Sequence, residues 1–103
     1  MKIVLGIDAG ASTTKIVGFR ENIKVGSIQV NAEDQLTSIY GAIGNFLNLY
    51  SISLKDVYSI VLTGVGSSFI LDDIYGIKTY RVNEFDAIGY GGLYLSQKKL
   101  ALV

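Results

Sequence analysis

The segment Gly6-Ile7-Asp8-Ala9-Gly10-Ala11-Ser12-Thr13-Thr14-Lys15 concentrates more potential chemistry than any other stretch of this chain. An apolar run delivers Asp8 at its end, and a tight turn of small residues follows. Glycine and alanine let main-chain N–H groups approach an anion closely. Ser12, Thr13 and Thr14 add hydroxyl donors, and Lys15 adds a point charge. Asp8 can hold Mg²⁺ through water, since that cation prefers oxygen ligands and keeps its hydration. Asp8 and the run Gly10 to Lys15 together suit a polyphosphate and its metal. A plain β-hairpin with a polar turn would account for Gly10 and Ser12. It would not require an aspartate directly after an apolar strand, or a lysine just beyond a run of hydroxyl residues. The pattern is not a P-loop, which needs G-x-x-x-x-G-K-[ST] opening a helix.

Two further places carry polar groups at strand ends. Thr63-Gly64-Val65-Gly66-Ser67-Ser68 either lines a cleft with N–H groups and hydroxyls or forms a sharp turn into a short helix. Glu84 and Asp86 stand where a strand is expected to give way to a helix. There they either favour the helix N-terminus, worth about 0.3–1 kcal/mol each, or place a carboxylate beyond a strand end, where open α/β sheets bind ligands. The chain has no histidine and no cysteine. Proton transfer must therefore fall to a carboxylate, a lysine or a tyrosine, and disulfides and thiolate ligands are excluded. The absence of cysteine fits a reducing compartment, and a cytoplasmic location is expected.

The elements that must position these groups follow from hydrophobic pattern. Ile3 to Ile7 reads as a strand buried on both faces. Thr13 to Phe19 pairs back through the small-residue turn, and Val25 to Val30 forms a third strand. From Asn31 or Ala32 to Tyr50, the residues Leu36, Ile39, Tyr40, Ile43, Phe46, Leu47 and Tyr50 make one apolar helical stripe, with Asn31 as a cap. Ser53 to Asp56 reads as a capped single turn. Tyr58 to Leu62 and Lys78 to Val82 are strands, with a short helical stretch around Phe69 to Asp73. Glu84 to Gln97 reads as a last helix, and Leu100 to Val103 begins another apolar run. The order β-β-β-α-β-(α)-β-α predicts a five-stranded mixed α/β sheet with an N-terminal hairpin, the ribonuclease-H-like lobe of an actin-like ATPase. Residues 1–98 form that lobe, and 99–103 are expected to begin a C-terminal lobe that the chain lacks.

Composition bounds the partners. The 103 residues carry a formal net charge of +0, which excludes a basic nucleic-acid clamp. Half are hydrophobic and only 17% are charged, against about 25% in ordinary soluble domains. Such a surface expects a partner, either another lobe or another copy. No apolar run is long enough to span a bilayer.

The segment from Gly6 to Val17 resembles the first phosphate motif of the acetate and sugar kinase, Hsc70 and actin superfamily. With Leu62-Thr63-Gly64-Val65-Gly66-Ser67-Ser68-Phe69-Ile70 and Val82-Asn83-Glu84-Phe85-Asp86-Ala87-Ile88-Gly89, the chain most resembles the N-terminal lobe of bacterial type II pantothenate kinases. That resemblance implies ATP and Mg²⁺ as cofactors, pantothenate as substrate and a homodimeric intact protein. It also implies that Glu84 deprotonates the primary hydroxyl of pantothenate, with Thr63 and Gly64 beside the substrate. The reaction would be ATP-dependent phosphorylation to 4′-phosphopantothenate, the first step of coenzyme A biosynthesis. One lobe alone is expected to be inactive. The first motif, including its Ser-Thr-Thr-Lys run, is also similar to the ATPases that activate 2-hydroxyacyl-CoA dehydratases, a family that carries an iron–sulfur cluster on cysteines, though the Glu-Phe-Asp-Ala stretch counts against that alternative. A non-enzymatic actin-like nucleotide-binding module is the third reading.

Overall fold

A computed structural model describes residues 2–21, 23–87 and 93–95. The apolar run near the N-terminus forms β1 (Ile3–Ala9), the middle strand of a five-stranded sheet. β2 (Thr13–Arg20) pairs with it antiparallel, and β3 (Ile23–Asn31) pairs antiparallel with β2. On the other side β4 (Val57–Thr63) and β5 (Thr79–Arg81) run parallel, giving the order β3-β2-β1-β4-β5. Parallel pairing of β1 with β4 demands a long crossover, and α1 (Gln35–Leu49) supplies it. This is the mixed α/β sheet with a leading hairpin that the sequence predicts.

Side-chain alternation divides the sheet into two faces. Ile3, Leu5, Ile7 and Ala9 join Ile16, Ile60 and Leu62 in one buried cluster with Ile39, Ile43 and Phe46 of α1. Val4, Val17, Phe19 and Val61 form a smaller cluster on the opposite face, packed by Val82 and Phe85. Asp8 shares this second face with Val4, two pleats along β1. The face that carries the candidate chemistry is therefore the one α1 does not cover.

Several elements depart from expectation. The helix begins at Gln35, not near Asn31, because Asn31 is held in β3 opposite Thr13 and the Ala32 N–H donates to the Ser12 carbonyl at 2.9 Å. The cap is Asp34, whose Oδ2 accepts from the Thr37 N–H at 2.9 Å. The single turn at Leu54–Asp56 is a 3₁₀ turn. The short helical stretch is also 3₁₀ and lies earlier, at Val65–Phe69. The expected helix over 84–97 is not formed where it is described. β6 (Phe85–Ala87) and β7 (Leu93–Leu95) pair antiparallel as a separate two-stranded sheet. Gly89, Gly91 and Gly92 stand between those strands in sequence, and each disfavours a helix interior by about 1 kcal/mol. The apolar run from Leu100 falls outside the described residues. Among the described residues no helix is long and apolar enough to cross a membrane.

Candidate functional site

Registers across the sheet build the site from β1 outward. Asp8 lies opposite Lys15 on β2 and Thr63 on β4, and Lys15 lies opposite Gln29 on β3. Gln29, Lys15, Asp8 and Thr63 thus form one polar row across four strands, on the face away from α1. The row opens onto a cleft of about 420 Å³ whose lining includes Asp8, Lys15, Lys24, Gln29 and Phe85. Asp8 is half-buried and Lys15 is exposed. An anionic ligand there would meet Lys15 and Lys24, with Asp8 available to a cation.

The turn above this row is held from behind. Gly10 donates its N–H to the Thr13 carbonyl at 2.9 Å, closing the hairpin. The Ala11 carbonyl accepts from Gln35 Nε2 at 3.2 Å, and the Ser12 carbonyl accepts from the Ala32 N–H. A trans peptide points its N–H opposite to its C=O. Anchoring the Ala11 carbonyl on Gln35 therefore aims the Ser12 N–H away from α1, toward the face that carries Asp8 and Lys15. Among the described residues no acceptor is paired with the Ala11 or Ser12 N–H, and both residues are exposed. Convergent, unclaimed backbone donors of this kind bind anions.

Not every predicted site residue faces this side. Thr14 is fully buried, and alternation places it with Ile16 on the α1 face, so its hydroxyl cannot reach a ligand held by Lys15. Among the described residues its Oγ1 has no hydrogen-bond partner. Thr63 is buried on the site face, but its hydroxyl donates to the Asn83 carbonyl at 2.6 Å. It fixes the approach to Glu84 and has no proton left to offer a substrate. Gly64 adopts φ +96° and lies against the Ala9 backbone, where a Cβ would sit 2.4 Å from the Ala9 carbonyl oxygen. Its role is to let the 64–66 turn close on the base of the hairpin. Glu84 is exposed, one residue past the anchored Asn83, and leads into β6 rather than a helix. Asp73 accepts from the Thr79 N–H at 3.1 Å. No group of three metal-ligating side chains occurs among the described residues.

Sequence reasoning passed over Gln35, Lys24 and Gln29. The alternation of β3 marks Gln29 as outward, but its place beside Lys15 depends on strand register. Gln35 reads as an ordinary first-turn residue until the hairpin is folded back on it.

No protein-family model matches the sequence, and no curated protein sequence matches it. Solved structures do resemble the fold. The activator of 2-hydroxyisocaproyl-CoA dehydratase from Clostridium difficile, solved with ADPNP bound, superposes with a TM-score of 0.63 at 19% identity, over 77% of this chain and 29% of that one. Component A of (R)-2-hydroxyglutaryl-CoA dehydratase from Acidaminococcus fermentans gives a TM-score of 0.67 at 19% identity, over 81% of this chain and 31% of that one. The chain thus spans less than a third of the length of either structure. It shares the α/β fold of these two structures over the matched residues.

Proposed function

We propose that this chain is the phosphate-gripping part of an actin-like ATPase unit, and that the unit is an ATP-driven activator of a 2-hydroxyacyl-CoA dehydratase. The observation that carries the nucleotide reading is the hairpin: its Ala11 carbonyl is anchored behind it, which leaves the Ser12 N–H unclaimed on the side of Asp8 and Lys15. The Ser12 N–H and Lys15 would meet phosphate oxygens, and Asp8 would hold Mg²⁺ through water. Bound ATP would supply the free energy of phosphoanhydride cleavage. The residues here contribute placement and charge compensation, which dominate phosphoryl chemistry. The activator reading is supported by the fold shared with two such activators, one of them solved with an ATP analogue. The chain contains no cysteine. None of its residues fits an iron–sulfur cluster through thiolate, and no step proposed here runs through one.

Calorimetric titration of the protein with Mg·ATP tests the nucleotide reading. Binding is expected, and Lys15→Ala should weaken it roughly tenfold, the loss typical of one charge-assisted phosphate contact. Equal affinity in Lys15→Ala would overturn the assignment of the hairpin. ATP-dependent reactivation of a 2-hydroxyacyl-CoA dehydratase tests the finer reading.

Pantothenate kinase is the second reading, favoured by one feature: Thr63, the register neighbour of Asp8, anchors Asn83 and so brings Glu84 near the polar row. On that reading Glu84→Gln abolishes pantothenate phosphorylation and spares ATP binding. Absence of phosphorylated pantothenate when the chain is supplied with a C-terminal lobe and ATP is bound would remove it.

A further inference from the structure

We propose that Gln35 is the positioning residue of the phosphate hairpin. Its side-chain amide holds the Ala11 carbonyl and so sets the direction of the Ser12 N–H. The ligand in this inference rests on the nucleotide reading above; the geometry does not.

Gln35 is the first residue of α1, directly after the cap Asp34. Its Nε2 donates to the Ala11 carbonyl at 3.2 Å. Its Oε1 is buried and has no partner among the described residues. The 64–66 turn presses on the same amide, since a Cβ at Gly66 would lie 2.4 Å from Oε1 and 2.9 Å from the Ala9 Cβ. The side chain is therefore clamped in a slot between the hairpin and that turn. A buried acceptor without a partner is destabilising, and methionine would fill such a slot without that penalty. What the amide alone provides is the Nε2 donor.

That donor acts at the point where the turn is otherwise free to rotate. The Ser12 carbonyl is held by a backbone group, the Ala32 N–H, as part of the β2–β3 pairing. Among the described residues the Ala11 carbonyl is held by Gln35 alone. Without it, the peptide between Ala11 and Ser12 can turn over and carry the Ser12 N–H away from the face of Asp8 and Lys15. Gln35 touches no ligand in this arrangement. It acts through one peptide plane.

The test compares Gln35→Met, Gln35→Glu and the unaltered protein by Mg·ATP titration, thermal melting and the ¹⁵N–¹H resonances of Ser12 and Thr13. Gln35→Met should hold or raise Tm, weaken Mg·ATP about tenfold, and shift the Ser12 resonance much more than that of Thr13. Gln35→Glu, of the same size but with oxygens facing a carbonyl, should lose more affinity at neutral pH. It should recover part of that affinity when acid protonates the carboxyl and restores a donor. Unchanged affinity and an unchanged Ser12 resonance in Gln35→Met would overturn the proposal. So would a fall in affinity that follows Tm while the Ser12 resonance stays fixed. If the unaltered protein binds no Mg·ATP, the nucleotide reading fails, and the Ser12 resonance in the free protein still decides the role of Gln35. Should Gln35→Met not fold, Gln35→Ala is read by the same resonances.

Discussion

Two glycine-bearing turns meet at one end of the sheet, and they serve opposite ends. The Gly10–Ser12 turn leaves backbone donors at the surface, with its carbonyls tied down behind. The Gly64–Gly66 turn is pressed inward against Ala9 and Gln35, where neither position has room for a side-chain carbon. In sequence both read as small-residue loops after a strand. In three dimensions one is the candidate ligand surface and the other is the wall that holds it. A glycine beside a site can thus mark the backing of the site rather than its lining.

The largest way to break this contrast is at Gly64. Its φ of +96° and ψ of 171° lie in a region that is essentially glycine-only. An added Cβ would also meet the Ala9 carbonyl oxygen at 2.4 Å. Gly64→Ala should destabilise the fold by on the order of 3 kcal/mol or more, read as a fall in the denaturation midpoint, and should weaken nucleotide binding through the displaced hairpin. A midpoint unchanged in Gly64→Ala would mean the two turns do not bear on one another.

Thr14 sharpens the contrast by separating neighbours in sequence. Lys15 faces the cleft and Thr14 faces α1, with an unpartnered buried hydroxyl. Thr14→Val keeps the shape and removes that hydroxyl. It should raise stability by about 1 kcal/mol and leave Mg·ATP affinity unchanged, as paired melting and titration would check. Loss of affinity would restore Thr14 to the ligand.

The framework and the hairpin were legible because their signals are local. An apolar run ending in Asp8, a small-residue turn and a lysine lie within ten residues, and the stripe from Ile39 to Phe46 fixes which face of the helix is buried. What was not legible depends on pairing. Asn31 is a good cap by type, but β2 claims it as a strand partner and the cap passes to Asp34. Thr63 looks like a ligand donor until Asn83 takes its hydroxyl. The exclusion of Thr14 was within reach, since period-two alternation puts it and Lys15 on opposite faces. The helix expected over 84–97 overweighted polar residues at its start and discounted its glycines.

A milder variant of the glycine contrast lies on α1. Gly41 and Gly44 are exposed, and a Cβ at either would meet nothing within 4 Å. No packing or turn requires them. Gly41→Ala and Gly44→Ala should each stabilise the fold by about 0.5–1 kcal/mol, the reverse of the change at Gly64. Destabilisation would mean that this face of α1 is covered in the folded protein.

The smallest effect concerns the cap that starts α1 immediately before Gln35. Hydrogen bonding from Thr37, through its side chain first and its backbone N–H second, holds the Asp34 carboxyl below its ordinary value near 3.8. The carboxylate is the form those donors favour, so the unfolded chain takes up the proton first as pH falls. The contribution is therefore complete above the unfolded value and is lost as pH falls through the lower, folded one. Asp34→Asn keeps a good cap without a titrating group. Its melting temperature should match that of the unaltered protein at neutral pH to within a few degrees and fall less steeply below about pH 4. The difference between the two acid limbs isolates Asp34 from every other carboxylate. Identical limbs would show that the cap does not couple protonation to folding, and that α1 is held at Gln35 by the hairpin rather than by its own first turn.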